Sequence, residues 1–274
     1  MARFRLPTLP QLILLILLTV TLTRFPLVSA NFWLNLGAIQ FNQALARPTD
    51  GLAAATACLV RSQPLPAGQR LLGFVQLAEQ QPATAIQTWR AVPGMAAELA
   101  RWGWLRRPNQ TSWFGLAAAV DPSYQPAQLA YCNELLESRA FLAVRELYLE
   151  VPAAQQATPG LLVCAGAAEL ALGEAEQAVA LLEAAVAEAP ERAAYWQWYS
   201  LALTRTGRFA DAITASEQAT RLAPAVADYW EHLGNLYRDS EQWALAQQAY
   251  EKAITLAPDN DRARAALAAL APAP

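Results

Sequence analysis

Residues 227–260 read ADYWEHLGNLYRDSEQWALAQQAYEKAITLAPDN, and their pattern is that of two amphipathic helices folded on one another. Trp230, Leu233 and Tyr237 recur at i, i+3 and i+7, the step of one helical face. Gly234 and Ala246 are small enough to let two such helices approach closely, while Tyr250 fills the space that remains. Pro258 ends the second helix, because the residue before a proline avoids the α region. A single hairpin of this kind cannot bury its apolar face alone, so neighbouring hairpins must stack on it.

Those neighbours lie upstream at a period of 34 residues. Pro190, Pro224 and Pro258 keep it, as do Ala178, Ala212 and Ala246, then Ala185, Ala219 and Ala253, and the pair Trp196 and Trp230. In 193–226 the pattern is Trp196, Tyr199, Ser200, Leu203, Ala212, Ser216, Ala219 and Pro224, with serine keeping the helix crossing small. In 159–192, Leu162 and Glu169 replace the tryptophan and the tyrosine, while Gly166, Ala178, Leu182, Ala185 and Pro190 remain. The register extends to 125–158, where Phe141 aligns with Trp243 and Tyr148 with Tyr250, and to 91–124 through Phe114, Ala117 and Pro122. Further upstream it breaks, yet Leu72, Gly73, Ala85 and Trp89 keep the mutual spacing, and Trp33, Leu36 and Gly37 open a first hairpin. After Pro258, Asp259 is predicted to cap a last helix with the stripe Ala263, Ala266, Leu267 and Leu270.

Composition agrees with this reading. The 274 residues are 55% hydrophobic and 16% charged, with 60 alanines and 42 leucines against 12 glycines, a helix-former composition that disfavours all-β and Rossmann folds. The expected fold is all-α, an α-solenoid of stacked helical hairpins. Its expected organisation is a membrane-directed segment over 1–30, degenerate hairpins over 31–124, a degenerate repeat over 125–158, regular repeats over 159–192, 193–226 and 227–260, and a capping helix over 261–270.

On these residues the chain resembles the tetratricopeptide-repeat (TPR) family, most specifically over 159–260. The resemblance implies a right-handed superhelix whose inner, concave groove holds an extended peptide or a partner helix. Carried over by register, the groove positions are Gln197, Trp198, Leu201 and Arg205, then Asp228, Glu231, His232, Asn235, Arg238 and Asp239. Trp198 stands out, because an aromatic residue on a groove face is a good anchor; the competing reading is packing against the next hairpin. His232, the one histidine, falls on the groove side of its helix as a partly exposed polar residue or a contact to bound peptide. Val163 and Ala167 occupy the places where the carboxylate-clamp subgroup grips an acidic C-terminal tail with Lys and Asn, which argues against tail binding of that type.

Catalysis has little material. The sequence holds no dinucleotide, P-loop, zinc-protease or nucleophile-elbow motif, and one histidine cannot furnish a metal cage. The expectation is therefore a non-enzyme without cofactor or metal. Cys58, Cys132 and Cys164 form no CxxC pair, imply no disulfide framework, and read as small buried helix residues. Arg101-Trp-Gly-Trp-Leu-Arg-Arg107 mixes basic and aromatic residues as a nucleic-acid or anionic-lipid surface would, but reads first as an ordinary helix, and no nucleic-acid partner is expected. Asn109-Gln110-Thr111 fits a glycosylation sequon.

Arg3 and Arg5 precede an uncharged stretch from Leu6 to Thr23 closed by Arg24, and Val28-Ser29-Ala30 would suit cleavage before Asn31. A retained anchor and a cleaved signal peptide both explain it. Either way the positive-inside rule places the remainder outside the cytoplasm, as a single-pass membrane protein or as a secreted or periplasmic one. Residues 1–125 carry ten Arg against four acids, and residues 126–274 carry ten bases against nineteen acids, so the repeats would favour a basic partner. The expected function is a membrane-tethered or exported, non-catalytic TPR scaffold for protein–protein interaction. The alternative is an accessory module of an envelope polysaccharide-assembly or secretion system whose catalytic partner is another polypeptide.

Overall fold

The computed structural model describes residues 26–46, 51–62, 64–105 and 112–270. Among the described residues there are sixteen helices and no strand, so the chain is all-α, built as an α-solenoid from stacked hairpins. It divides into two compact units, 1–124 and 125–274. The first holds the hairpins α1 (Pro26–Ala46) with α2 (Gly51–Arg61), α3 (Pro66–Ala78) with α4 (Pro82–Trp89), and α5 (Met95–Leu105) with α6 (Trp113–Val120). The second holds α7 (Gln125–Glu137) with α8 (Phe141–Glu150), the short α9 (Ala153–Gln156), and α10 (Pro159–Leu172) with α11 (Ala175–Glu188). It continues with α12 (Ala193–Arg205) and α13 (Phe209–Leu222), α14 (Ala227–Asp239) and α15 (Trp243–Leu256), and closes with α16 (Asp261–Leu270).

The repeating residues do repeating jobs. A Cβ on Gly234 would lie 2.7 Å from the Tyr250 ring, and one on Gly73 would lie 2.1 Å from the Trp89 indole nitrogen, so glycine sets how closely the helices of these two hairpins pack. Ala189, Ala223 and Ala257, each before a proline, leave the helix with φ of −139°, −135° and −133°. The signature tryptophans tie each repeat to the loop before it: Trp196 Nε1 donates to the Pro190 carbonyl at 2.8 Å, and Trp230 Nε1 to that of Pro224 at 2.9 Å. Within each hairpin of the second unit the first helix turns through a left-handed residue, at Arg139, Gly173, Gly207 and Glu241, again 34 apart. The following amide always reaches back to the same carbonyl, as in Arg208 to Leu203 at 2.9 Å and Gln242 to Tyr237 at 2.8 Å. The last helix is capped by Asn260, whose Oδ1 accepts from the Ala263 amide at 3.0 Å, one residue beyond the expected Asp259.

The single-pass membrane placement is corrected. Among the described residues no helix is long and apolar enough to cross a membrane. α1 has 21 residues, but Asn31, Asn35, Gln40 and Asn42 dilute its apolar content. It runs unbroken across the 30/31 position, with Ala30 buried. The stretch Leu6–Thr23 and its flanking arginines, on which the anchor and signal-peptide readings rest, lie outside the described residues, as do Arg106, Arg107 and the sequon at Asn109.

The cysteines also depart from expectation. Cys132 and Cys164 are buried on helices, but they form a disulfide joining α7 to α10, while Cys58 is a buried free thiol. The bond joins successive hairpins across 32 residues of sequence, which escapes a search for close-spaced cysteine pairs.

Two outcomes are expected. Glu241→Gly should raise stability by about 1 kcal/mol in urea unfolding, because a side chain in the left-handed region costs more than glycine's added freedom; an unchanged or lowered midpoint would contradict the assignment of strain there. Under denaturing conditions the oxidised chain should titrate as one thiol, from Cys58, and the reduced chain as three.

Candidate functional site

Two adjoining pockets lie along the first helices of the second unit. The first, about 350 Å³, is apolar: Leu136 of α7, Phe141 of α8, Ala167, Leu170 and Ala171 of α10, and Trp198, Leu201 and Arg205 of α12 line it. The second, about 330 Å³, is polar and is lined by Gln197 and Leu201 of α12, Asp228, Glu231, His232 and Asn235 of α14, and Arg262 of α16. Leu201 belongs to both. Trp198, Leu201 and Arg205 follow one another at i, i+3 and i+7, so one face of α12 supplies a wall of the slot. The Trp198 side chain remains 38% exposed beside this apolar surface.

Eight of the ten positions expected from the register therefore line one pocket or the other. Arg238 and Asp239 line neither; they pair with each other at 2.8 Å near the end of α14. The slot also uses Leu136, Phe141, Leu170 and Ala171, and the polar pocket uses Arg262, none of which the register singled out for the groove. The register signal for Phe141 was present in its alignment with Trp243, but it marked the repeat rather than the groove.

The polar pocket has a defined hydrogen-bond order. Ser200 Oγ donates its one proton to the Ala212 carbonyl at 2.8 Å, and His232 Nε2 stands 3.0 Å from the same oxygen. Nε2 must then be the donor, which leaves Nδ1 as an acceptor. Burial holds the imidazole neutral, lowering its pKa to about 4 against a weak opposing pull from Asp239. This serine–histidine contact has the wrong polarity to activate a nucleophile, and Ser200 is fully buried. Glu231 Oε2 accepts from Asn260 Nδ2 at 2.7 Å, and its Oε1 lies 3.7 Å from Arg262 Nη1. Asn235 Oδ1 accepts from the Tyr250 hydroxyl at 2.8 Å. Gln197 Oε1 is buried without a hydrogen-bond partner. Among the described residues no group of three or more His, Cys, Asp or Glu is placed to hold a metal ion.

Comparison with known proteins agrees with this architecture. Residues 227–260 match the tetratricopeptide repeat, and residues 140–224 match the bacterial transcriptional activator domain. The chain thus carries a TPR repeat where its pattern is most regular. No curated protein matches it in sequence. Among solved structures, Cut9–Hcn1, a hetero-tetramer of the APC/C, is 16% identical with a TM-score of 0.53, over 94% of this chain and 46% of that one. YrrB, described as a TPR protein with an unusual peptide-binding site, is 16% identical with a TM-score of 0.51, over 77% of this chain and 96% of its own. The Sgt2 TPR domain from Aspergillus fumigatus is 26% identical over 41% of this chain and 76% of that one, with a TM-score of 0.39. At the identities of Cut9 and YrrB the likeness is one of fold.

The buried imidazole gives a pH dependence of known sign. Its pKa is lower in the fold than the usual 6.5, so its stabilising contribution is complete above about pH 6.5 and is lost as pH falls toward 4, by about 3 kcal/mol in all. His232→Gln keeps a donor for Ser200 without titrating. The difference in unfolding free energy between the two chains should change across that interval, and parallel pH profiles would refute the buried, neutral imidazole.

Proposed function

We propose that the second unit is a non-catalytic interaction module that captures an extended segment of a partner protein along α10, α12 and α14. The observation that carries this is the apolar slot with Trp198 at its edge. A half-exposed tryptophan beside Leu201, Leu170 and Phe141 is a surface that an incoming side chain can cover at once. The polar pocket next to it brings the polar side chains of Asp228, Glu231 and His232 beside the apolar slot, so a bound peptide would have both apolar and hydrogen-bonding places to go. The TPR repeat at 227–260 supports the same reading, since stacked repeats present long inner surfaces suited to such binding.

Short random peptides displayed on phage and panned on the full chain supply ligands for the test. Trp198→Ala should weaken the selected peptides by more than about tenfold while helicity and the thermal midpoint stay unchanged. Trp196→Ala, which removes the indole bonded to Pro190, should instead lower the thermal midpoint. Loss of fold in Trp198→Ala would assign that residue to packing and remove the basis for the groove.

A further inference from the structure

We infer that the polar pocket between α12, α14 and α16 is a subsite for a cationic side chain, so that the captured peptide carries arginine or lysine close to its apolar anchor. The inference rests on the peptide-binding reading of the neighbouring slot and adds the chemistry of the partner.

The pocket is rich in acceptors that can still take a donor. Gln197 Oε1 is buried and unpartnered, a state that costs free energy until a donor arrives. His232 spends its proton on Ser200 and offers Nδ1 as an acceptor. Asp228 is an exposed carboxylate at the pocket wall. Glu231 is 13% exposed, gives one oxygen to Asn260, and holds its other only at 3.7 Å from Arg262. Asn235 contributes less, because one of the two lone pairs of its carbonyl oxygen already takes the Tyr250 hydroxyl. Arg262 lines the same pocket but is 88% exposed and held by that single long contact, so it is free to yield its place. A guanidinium or ammonium brings three to five donors and the matching charge, whereas an acidic side chain would face two carboxylates. Because Leu201 is shared by both pockets, the apolar and cationic residues must be near neighbours in the peptide. In an extended chain, residues i and i+2 point to the same side about 6.6 Å apart, so a separation of about two residues fits.

The test uses peptides selected on the full chain from the random library. Selected sequences should place Arg or Lys within about two residues of an apolar residue. Replacing that Arg by its neutral isostere citrulline should weaken binding about tenfold, and the loss should shrink as salt is raised. Asp228→Asn, at an exposed position, should bind the arginine and citrulline peptides almost equally while still requiring Trp198. Glu231→Gln, which keeps a carbonyl for Asn260, should act in the same direction. Selection of apolar residues with no bias to Arg or Lys, or with a bias to Asp or Glu, overturns the cationic subsite and leaves Trp198-dependent binding intact. Absence of any Trp198-dependent peptide overturns the groove itself and this inference with it.

Discussion

Each regular hairpin depends on a close approach of its two helices at a position with almost no side chain. Gly166 lies against Leu182, and Gly234 against Tyr250, with no room for a Cβ in either case. In 193–226 both sides of the crossing are small, Ser200 and Ser216, and the contact is made polar: the Ser200 hydroxyl donates across the hairpin to the Ala212 carbonyl. Packing at this point fixes the tilt of one helix on the other and hence where the next hairpin can rest. A larger residue there would separate the helices, and the rows of side chains that meet between repeats would fall out of step.

Those rows show the consequence. A step of 32 residues joins the crossing position of one repeat to the inner face of the next, and the chain uses it with different chemistry. Cys132 meets Cys164 through a disulfide, and Ser200 meets His232 through a hydrogen bond. The same step carries Gly166 to Trp198, but glycine offers no side chain to meet the indole. Trp198 keeps a third of its surface open, and the apolar slot opens beside it. Where the row lacks a side-chain partner, an aromatic residue stays partly uncovered at the edge of the slot.

Much of the fold was legible because the crossing glycines, the prolines and the tryptophans all have short-range causes that recur every 34 residues. What escaped the sequence depends on contacts between repeats. Glu169 reads as a departure from tyrosine, yet it is 5% exposed and accepts a hydrogen bond from Arg145 Nε at 2.8 Å. Tyr237 makes the equivalent backward tie when its hydroxyl donates to Glu217 at 2.6 Å. The register counterpart of Glu217 is Leu149, which is 68% exposed, so the partner has moved by one helical turn to Arg145 and no fixed spacing reveals it. The groove shows the same limit. Its α12 and α14 residues followed from register, whereas Leu136 comes from the most degenerate repeat of the unit and Arg262, 34 residues after Asp228, from a terminal helix that reads only as a cap.

Charge also looks different at this scale. The excess of acids over bases in residues 126–274 suggests a general preference for basic partners, but surface charges are screened beyond about 8 to 10 Å at physiological salt. Only the groups around the pockets can act on a bound peptide, and they are not uniform. Asp228 and Glu231 border the pocket on the α14 side of Leu201, while Arg205 lies on the slot side, at the last turn of α12. In the proposed complex the two ends of one short groove therefore differ in sign. A peptide with a cation on one side of its apolar anchor and a carboxylate on the other would fit in one direction and be opposed in the reverse. The apolar slot would contribute affinity for many sequences, and the flanking charges would fix the register and direction of the one that binds.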